Sequence, residues 1–218
     1  MRHRGRLVYA MNKYFVKYGK DHRAQYISHL DFLRTIGRAM RRAQLPLEYS
    51  QGFNPHPLIT FAAPISVGIK SECEMFCVRL TEDITAEEFK ERLTDAMPDC
   101  LPILEVTKDE IEFKSINSAD YEIETEKPVS DELINAFMAE PQILIDKKTK
   151  KGIKETDIKA DIFDISVQDN IISATLKTSD SGSLKPMLLI SAMNKYGIDT
   201  GFCRYLRLRF RDTDKNVI

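Results

Sequence analysis

Apolar positions along the chain alternate between a spacing of two and a spacing of three to four, and the changes of spacing mark out the elements. Asn12 to Tyr18 and Arg23 to Ser28 read as two strands about a turn at Gly19-Lys20-Asp21. Leu30, Leu33, Ile36, Gly37 and Met40 then form an apolar stripe at helical spacing. Ser28 is placed to cap that helix, Asp31 to reach back to the Ser28 amide, and Pro46 to end it. Leu47–Ser50 and Leu58–Ala62 are short extended pieces around the loop SQGFNPHP, and Glu72–Leu80 is a longer strand. Thr85 opens a second helix with Glu88 at the capping-box position and Phe89, Leu93 and Met97 on its stripe; Pro98 closes it, and Leu101–Thr107 returns as a strand.

The second half repeats that order. Ala119–Thr125 is a strand, Ser130–Met138 a capped helix and Gln142–Asp146 a strand. Ile162–Val167 and Ile171–Thr178 form a hairpin across Asp169-Asn170, Leu184–Tyr196 is a helix stopped by Gly197, and Phe202–Arg211 is the last strand. Strand, helix, strand, strand, helix, strand is the order of the split β-α-β unit, so the predicted fold is α+β: two tandem ferredoxin-like units with antiparallel sheets. Their boundaries fall at 12–114 and 115–218, after a tail at 1–11. The lysine-rich run between Asp146 and Lys159 reads as a loop.

Composition changes this picture little. With 218 residues, 43% hydrophobic and 30% charged, the chain has ordinary globular values and enough length for a core without staples. No apolar run approaches the roughly 20 residues that span a bilayer, and the first residues lack the apolar core of a signal peptide, so a cytoplasmic location is expected. The net charge of -1 hides a basic stretch before Arg79 and an acidic one from Glu82 to Glu140. The four cysteines have no zinc-knuckle spacing, and no metal set or cofactor is read.

Candidate chemistry gathers in residues 26–68. Arg34, Arg38 and Arg41, with Arg42 beside them, recur along one side of the first helix, where their guanidinium forks suit phosphate oxygens. The alternative is a solvated helix whose arginines pair with acids of the other half. Gly52 permits a close backbone approach, and Tyr49 and Phe53 offer rings for base stacking, although aromatics near a strand end also serve a core. His29 sits in the first helical turn, and His56 is held between Pro55 and Pro57; each is a candidate proton-transfer or phosphate contact. A single site uniting both with the arginine face is one expectation; a loop that merely finishes the sheet is the other. The chain carries no phosphate-binding glycine loop, HExxH helix or nucleophile elbow.

The run SHLDFLRTIGRAMRRAQLPLEYSQGFNPHPLITFAAPISVGIKSECE, and more weakly SGSLKPMLLISAM, resembles the radical-SAM-linked bacterial family of unknown function. Members of that family are fused to, or encoded beside, a radical SAM protein. The resemblance implies a radical SAM protein as partner and assigns no reaction. Cys73 and Cys77 supply only half of a C-x3-C-x2-C cluster motif, and Leu80 stands at the third position. On a strand, residues four apart are about 13 Å from each other, so this chain is not itself the radical SAM enzyme. The expected function is an accessory RNA-binding or anion-binding module acting with that enzyme. Alternatives are a metal-independent RNA-processing endonuclease, by fold analogy, and a protein-only scaffold.

Overall fold

The computed structural model describes residues 12–149, 152–179 and 182–218, the side chains of 147–149 excepted, and the expected tail at 1–11 lies outside them. In chain order the strands and α-helices are β1 (Asn12–Lys20), α1 (His29–Arg42), β2 (Ile59–Phe61), β3 (Ile69–Leu80), α2 (Ala86–Ala96), β4 (Ile103–Thr107), β5 (Ser118–Thr125), α3 (Asp131–Ala139), β6 (Leu144–Thr149), β7 (Gly152–Asp157), β8 (Ile162–Gln168), β9 (Ile171–Ser179), β10 (Gly182–Ser183), α4 (Pro186–Lys195) and β11 (Cys203–Arg211). The architecture is mixed α and β with a mostly antiparallel sheet. None of the described helices is long and apolar enough to cross a membrane.

Strand pairing in the first half runs β4-β1-β3-β2, and in the second β8-β9-β5-β11, every neighbour antiparallel. The two halves do not keep separate sheets, as the sequence suggested. Tyr205, Leu206 and Arg207 of β11 pair in parallel with Ile69, Lys70 and Ser71 of β3, fusing everything but the β6–β7 hairpin into one nine-stranded sheet. The junction exists because β2 is short. It covers β3 only at Phe76–Val78, on the edge away from β1, and so leaves Ile69–Ser71 open to a second strand.

Two cores flank this seam. α1 and α2 close over Tyr14, Val16, Tyr18, Phe76 and Val78, while α3 and α4 close over residues such as Tyr121, Ile123, Ile172, Leu176 and Phe210. The buried stripe of α1 is Phe32, Ile36, Ala39 and Met40, so Leu30, expected inside, is exposed. Phe32 wins that place because its ring stacks on Tyr18 at 4.8 Å between centroids.

Local chemistry accounts for the other departures. The Ser28 hydroxyl accepts from the Asp31 amide at 3.2 Å as expected, but the Asp31 carboxylate accepts from the Ser28 hydroxyl at 2.8 Å rather than from the Ser28 amide; its side chain is one methylene shorter than the Glu of a full capping box. Arg23–Ser28 is no strand. Asp21 Oδ1 accepts the Arg23 and Ala24 amides at 2.8 and 3.3 Å, drawing the chain into a 3-10 turn at Ala24–Tyr26. The described residues of the lysine-rich run lie in two antiparallel strands, β6 against β7, rather than in a loop.

α1 stops before Pro46. Gln44 takes a left-handed φ of 51°, its amide reaches the Arg41 carbonyl at 3.0 Å, and the Leu45 amide reaches Met40 at 3.1 Å, the two bonds of a Schellman stop. The conformation costs a non-glycine residue about 1–2 kcal/mol. Gln44→Gly is therefore expected to raise the unfolding free energy by about 0.5–1 kcal/mol, after glycine's own entropic cost. Urea unfolding followed by circular dichroism checks this, and an unchanged midpoint would mean that Gln44 is not strained.

Candidate functional site

The exposed face of α1 carries the arginines in two different roles. Arg42 donates to the Ala96 carbonyl at 2.6 Å, at the C-terminal end of α2. Arg92 of α2 answers it by donating to Ala43 at 2.9 Å and to Gln44, at the C-terminal end of α1. Each helix thus has its unpaired last carbonyls capped by an arginine of the other, which also suits the negative end of each dipole. Arg42 is accordingly a structural residue.

Arg34 pairs with Asp31 at 3.1 Å, and both side chains are well exposed. An ion pair of this kind contributes little and opens readily. Arg38 and Arg41 are exposed and have no hydrogen-bond or ion-pair partner among the described residues. Among the described residues, the arginines of this helix therefore do not pair with acids of the second half.

His29 and His56 do not share a site. His29, exposed at the start of α1, sets its ring edge-on to Phe61 at 5.3 Å, beside the core under α1. His56 lines a groove with Lys13, Phe15, Cys77 and Arg79, which point to the opposite face of the sheet. Its Nδ1 lies 2.9 Å from the Ser50 hydroxyl and its amide donates to the same oxygen at 3.1 Å, so the SQGFNPHP loop closes as a tight hairpin tip. Gly52, at φ 130°, makes the turn in a backbone region that side-chain-bearing residues avoid. Phe53 projects wholly into solvent and Tyr49 is partly exposed. An aromatic ring at full exposure on a loop tip has no part in a core, so of the two Phe53 is the better stacking surface.

A further site lies at the seam, and reading the sequence missed it. Arg207 of β11 is buried beside Glu74 of β3, with 5% and 2% of the side chains exposed and 2.9 Å between Nη1 and Oε1. Glu74 also accepts from the Ser71 hydroxyl at 2.7 Å. Arg207 Nε donates to the Tyr121 hydroxyl at 3.1 Å, Nη1 donates to the Ala63 carbonyl at 3.0 Å, and the guanidinium stacks on Phe210 at 4.8 Å. Burial alone would lower the Arg207 pKa; the Glu74 carboxylate beside it overrides this, and the pKa is raised. Ala63 holds φ at 25° where it offers that carbonyl, a strained backbone fixed by the site. Cys73, packed alongside, is an inert thiol, its pKa pushed up to about 12 chiefly by burial.

Above the pair opens a cavity of about 410 Å³ whose wall includes the β2–β3 loop, Phe113, Lys114 and the start of α4. A sequence signal for it did exist. Phe61–Pro64 with Ser66, and Ser183–Pro186, from opposite halves of the chain, both line this cavity. No group of described residues is arranged to hold a metal ion.

Residues 13–186 match a family described as "Uncharacterized protein conserved in bacteria (DUF2344)". No curated protein matches the chain. Among solved structures, one described as an unknown protein from Galdieria sulphuraria aligns over 89% of this chain and 96% of that one, at 9% identity and a TM-score of 0.27. That likeness carries no argument about function.

Proposed function

The chain belongs to this bacterial family, whose match spans both halves of the sheet, and from that premise we propose that it is an accessory RNA-binding module of the cytoplasm, working with a separate radical SAM enzyme. The observation that carries the RNA reading is that Arg38 and Arg41 stand exposed on the helix, unpaired among the described residues, while Arg34 is held only by an exposed Asp31. Guanidinium groups one helical turn apart match the spacing of successive phosphates on a nucleic-acid strand, and Phe53 adds a ring on which a base can stack. The radical SAM partner rests on the family resemblance alone, strongest over residues 28–74. We read each half as a split β-α-β, ferredoxin-like unit, a reading supported by their shared strand order. The endonuclease alternative draws no support from His29 and His56, which face opposite ways.

The test is RNA binding by fluorescence anisotropy across a salt series. Arg34→Gln, Arg38→Gln and Arg41→Gln together should weaken binding and flatten the plot of log affinity against log salt by up to about 2–2.7 units, roughly 0.7–0.9 for each phosphate no longer neutralised. Circular dichroism should not change, because all three lie off the buried stripe. Equal binding by variant and parent at every salt concentration would remove α1 as the contact surface, and no binding by the parent would favour a protein-only scaffold.

A further inference from the structure

We propose that the seam cavity is a binding site for a phosphomonoester with an apolar or aromatic body, of about the size of a nucleoside monophosphate. The volume of about 410 Å³ falls within the range of small-molecule sites, and the walls are mainly apolar, with Phe113, Ile116 and Pro186 among them. The cavity reaches down to Arg207, whose side chain is about nineteen-twentieths buried. Nε and Nη1 have partners, but Nη2 has none among the described residues. None of the described buried side-chain polar atoms lacks a partner, so Nη2 keeps contact with open space, and the cavity is the space that Arg207 lines. A nitrogen left without a partner on a guanidinium that lines a pocket is a donor open to an acceptor.

Charge points the same way. Beside the Arg207–Glu74 pair a second cation, buried Lys20, shares the field, its amino group donating to the Ile27 carbonyl at 3.2 Å. Tyr18 and Cys73, also in that field, are held neutral by burial. At the rim Lys114 and Lys185 are exposed and unpaired among the described residues, and no described carboxylate lines the wall. The start of α4 adds to the excess. α1, α2 and α3 open with Ser28, Thr85 and Ser130 as caps and acids in the first turn, but α4 opens with Lys185 and Pro186, no side-chain cap and no acid. A lysine at the positive end of a helix dipole is unfavourable until an anion arrives.

Isothermal titration calorimetry on the full chain tests this with adenosine monophosphate, inorganic phosphate and adenosine as probes. The monophosphate should bind, phosphate should bind at least tenfold more weakly, and adenosine should not bind measurably. Lys114→Glu with Lys185→Glu should reduce monophosphate affinity at least tenfold, and Glu74→Leu with Arg207→Met, which removes the donor and its buried counter-ion together, should abolish it. The three-arginine variant of α1 should bind the monophosphate like the parent, which keeps this site separate from the RNA surface. No heat from the monophosphate at millimolar concentration would overturn the proposal. So would undiminished affinity in the Lys114/Lys185 variant, equal affinity for adenosine, or equal affinity for inorganic phosphate.

Discussion

Arg207→Met is expected to lower the unfolding free energy by about 3–5 kcal/mol, the largest effect of any single substitution outside the apolar cores. The reason is what it leaves behind. Glu74 would keep only the Ser71 hydroxyl as a partner at a position with 2% of its side chain exposed, and a carboxylate there is far from water. Glu74→Leu should cost a comparable amount by stranding the guanidinium, although Arg207 would retain Tyr121 and the Ala63 carbonyl. The double variant should recover most of the loss, since two well-packed apolar side chains avoid the desolvation that the pair had to offset. Urea unfolding of the four proteins measures the coupling directly. Losses that simply add would show that the pair does not act as a unit.

Severing the chain between Lys114 and Ser115 should leave neither half able to fold cooperatively alone. The first fragment would expose the Ile69–Ser71 edge and hold Glu74 without its cation; the second would expose Arg207 and the free edge of β11. Bare strand edges pair with whatever is available, so aggregation is the expected fate of each. Co-expressed, the fragments should assemble one to one and recover the parent's circular dichroism. Cooperative melting of the 12–114 fragment near the parent's Tm would show that the seam is a late contact between finished domains.

Much of the fold was legible because it is set by local chemistry. Ser28, Thr85 and Ser130 announced three helices through their side chains, Asp169 the tip of the β8–β9 hairpin, and Gly197 the end of α4. The junction was not legible, since pairing β3 with β11 depends on how much of β3 is left uncovered by β2, a matter of spatial extent that no local pattern encodes. Arg207 was hidden for a related reason. Arg207, Arg209 and Arg211 alternate as if on one face, yet a register shift between Arg207 and Arg209 sends the first inward, while Arg209 and Arg211 pair with Asp120 nearer the surface. Of the candidate site, the exposed arginines followed from helical spacing, but the separation of His29 from His56 turned on which side of a three-residue strand each one lies.

The unequal lengths of β2 and β8 decide whether this molecule ends or grows. The seam joins the third strand of one half to the fourth strand of the other, a head-to-tail contact, and such contacts, unlike two-fold ones, leave a free end at each copy. Repeated from molecule to molecule, the same geometry would build a ring or an open filament. It is stopped because β9, the third strand of the second half, has no vacant edge. β8 covers Ile171–Leu176 and β10 covers Thr178 and Ser179, whereas the three residues of β2 leave β3 room for one guest. Shortening β8 to the length of β2 would turn a terminator into a socket, and the β4 edge of a second molecule would be the strand to fill it.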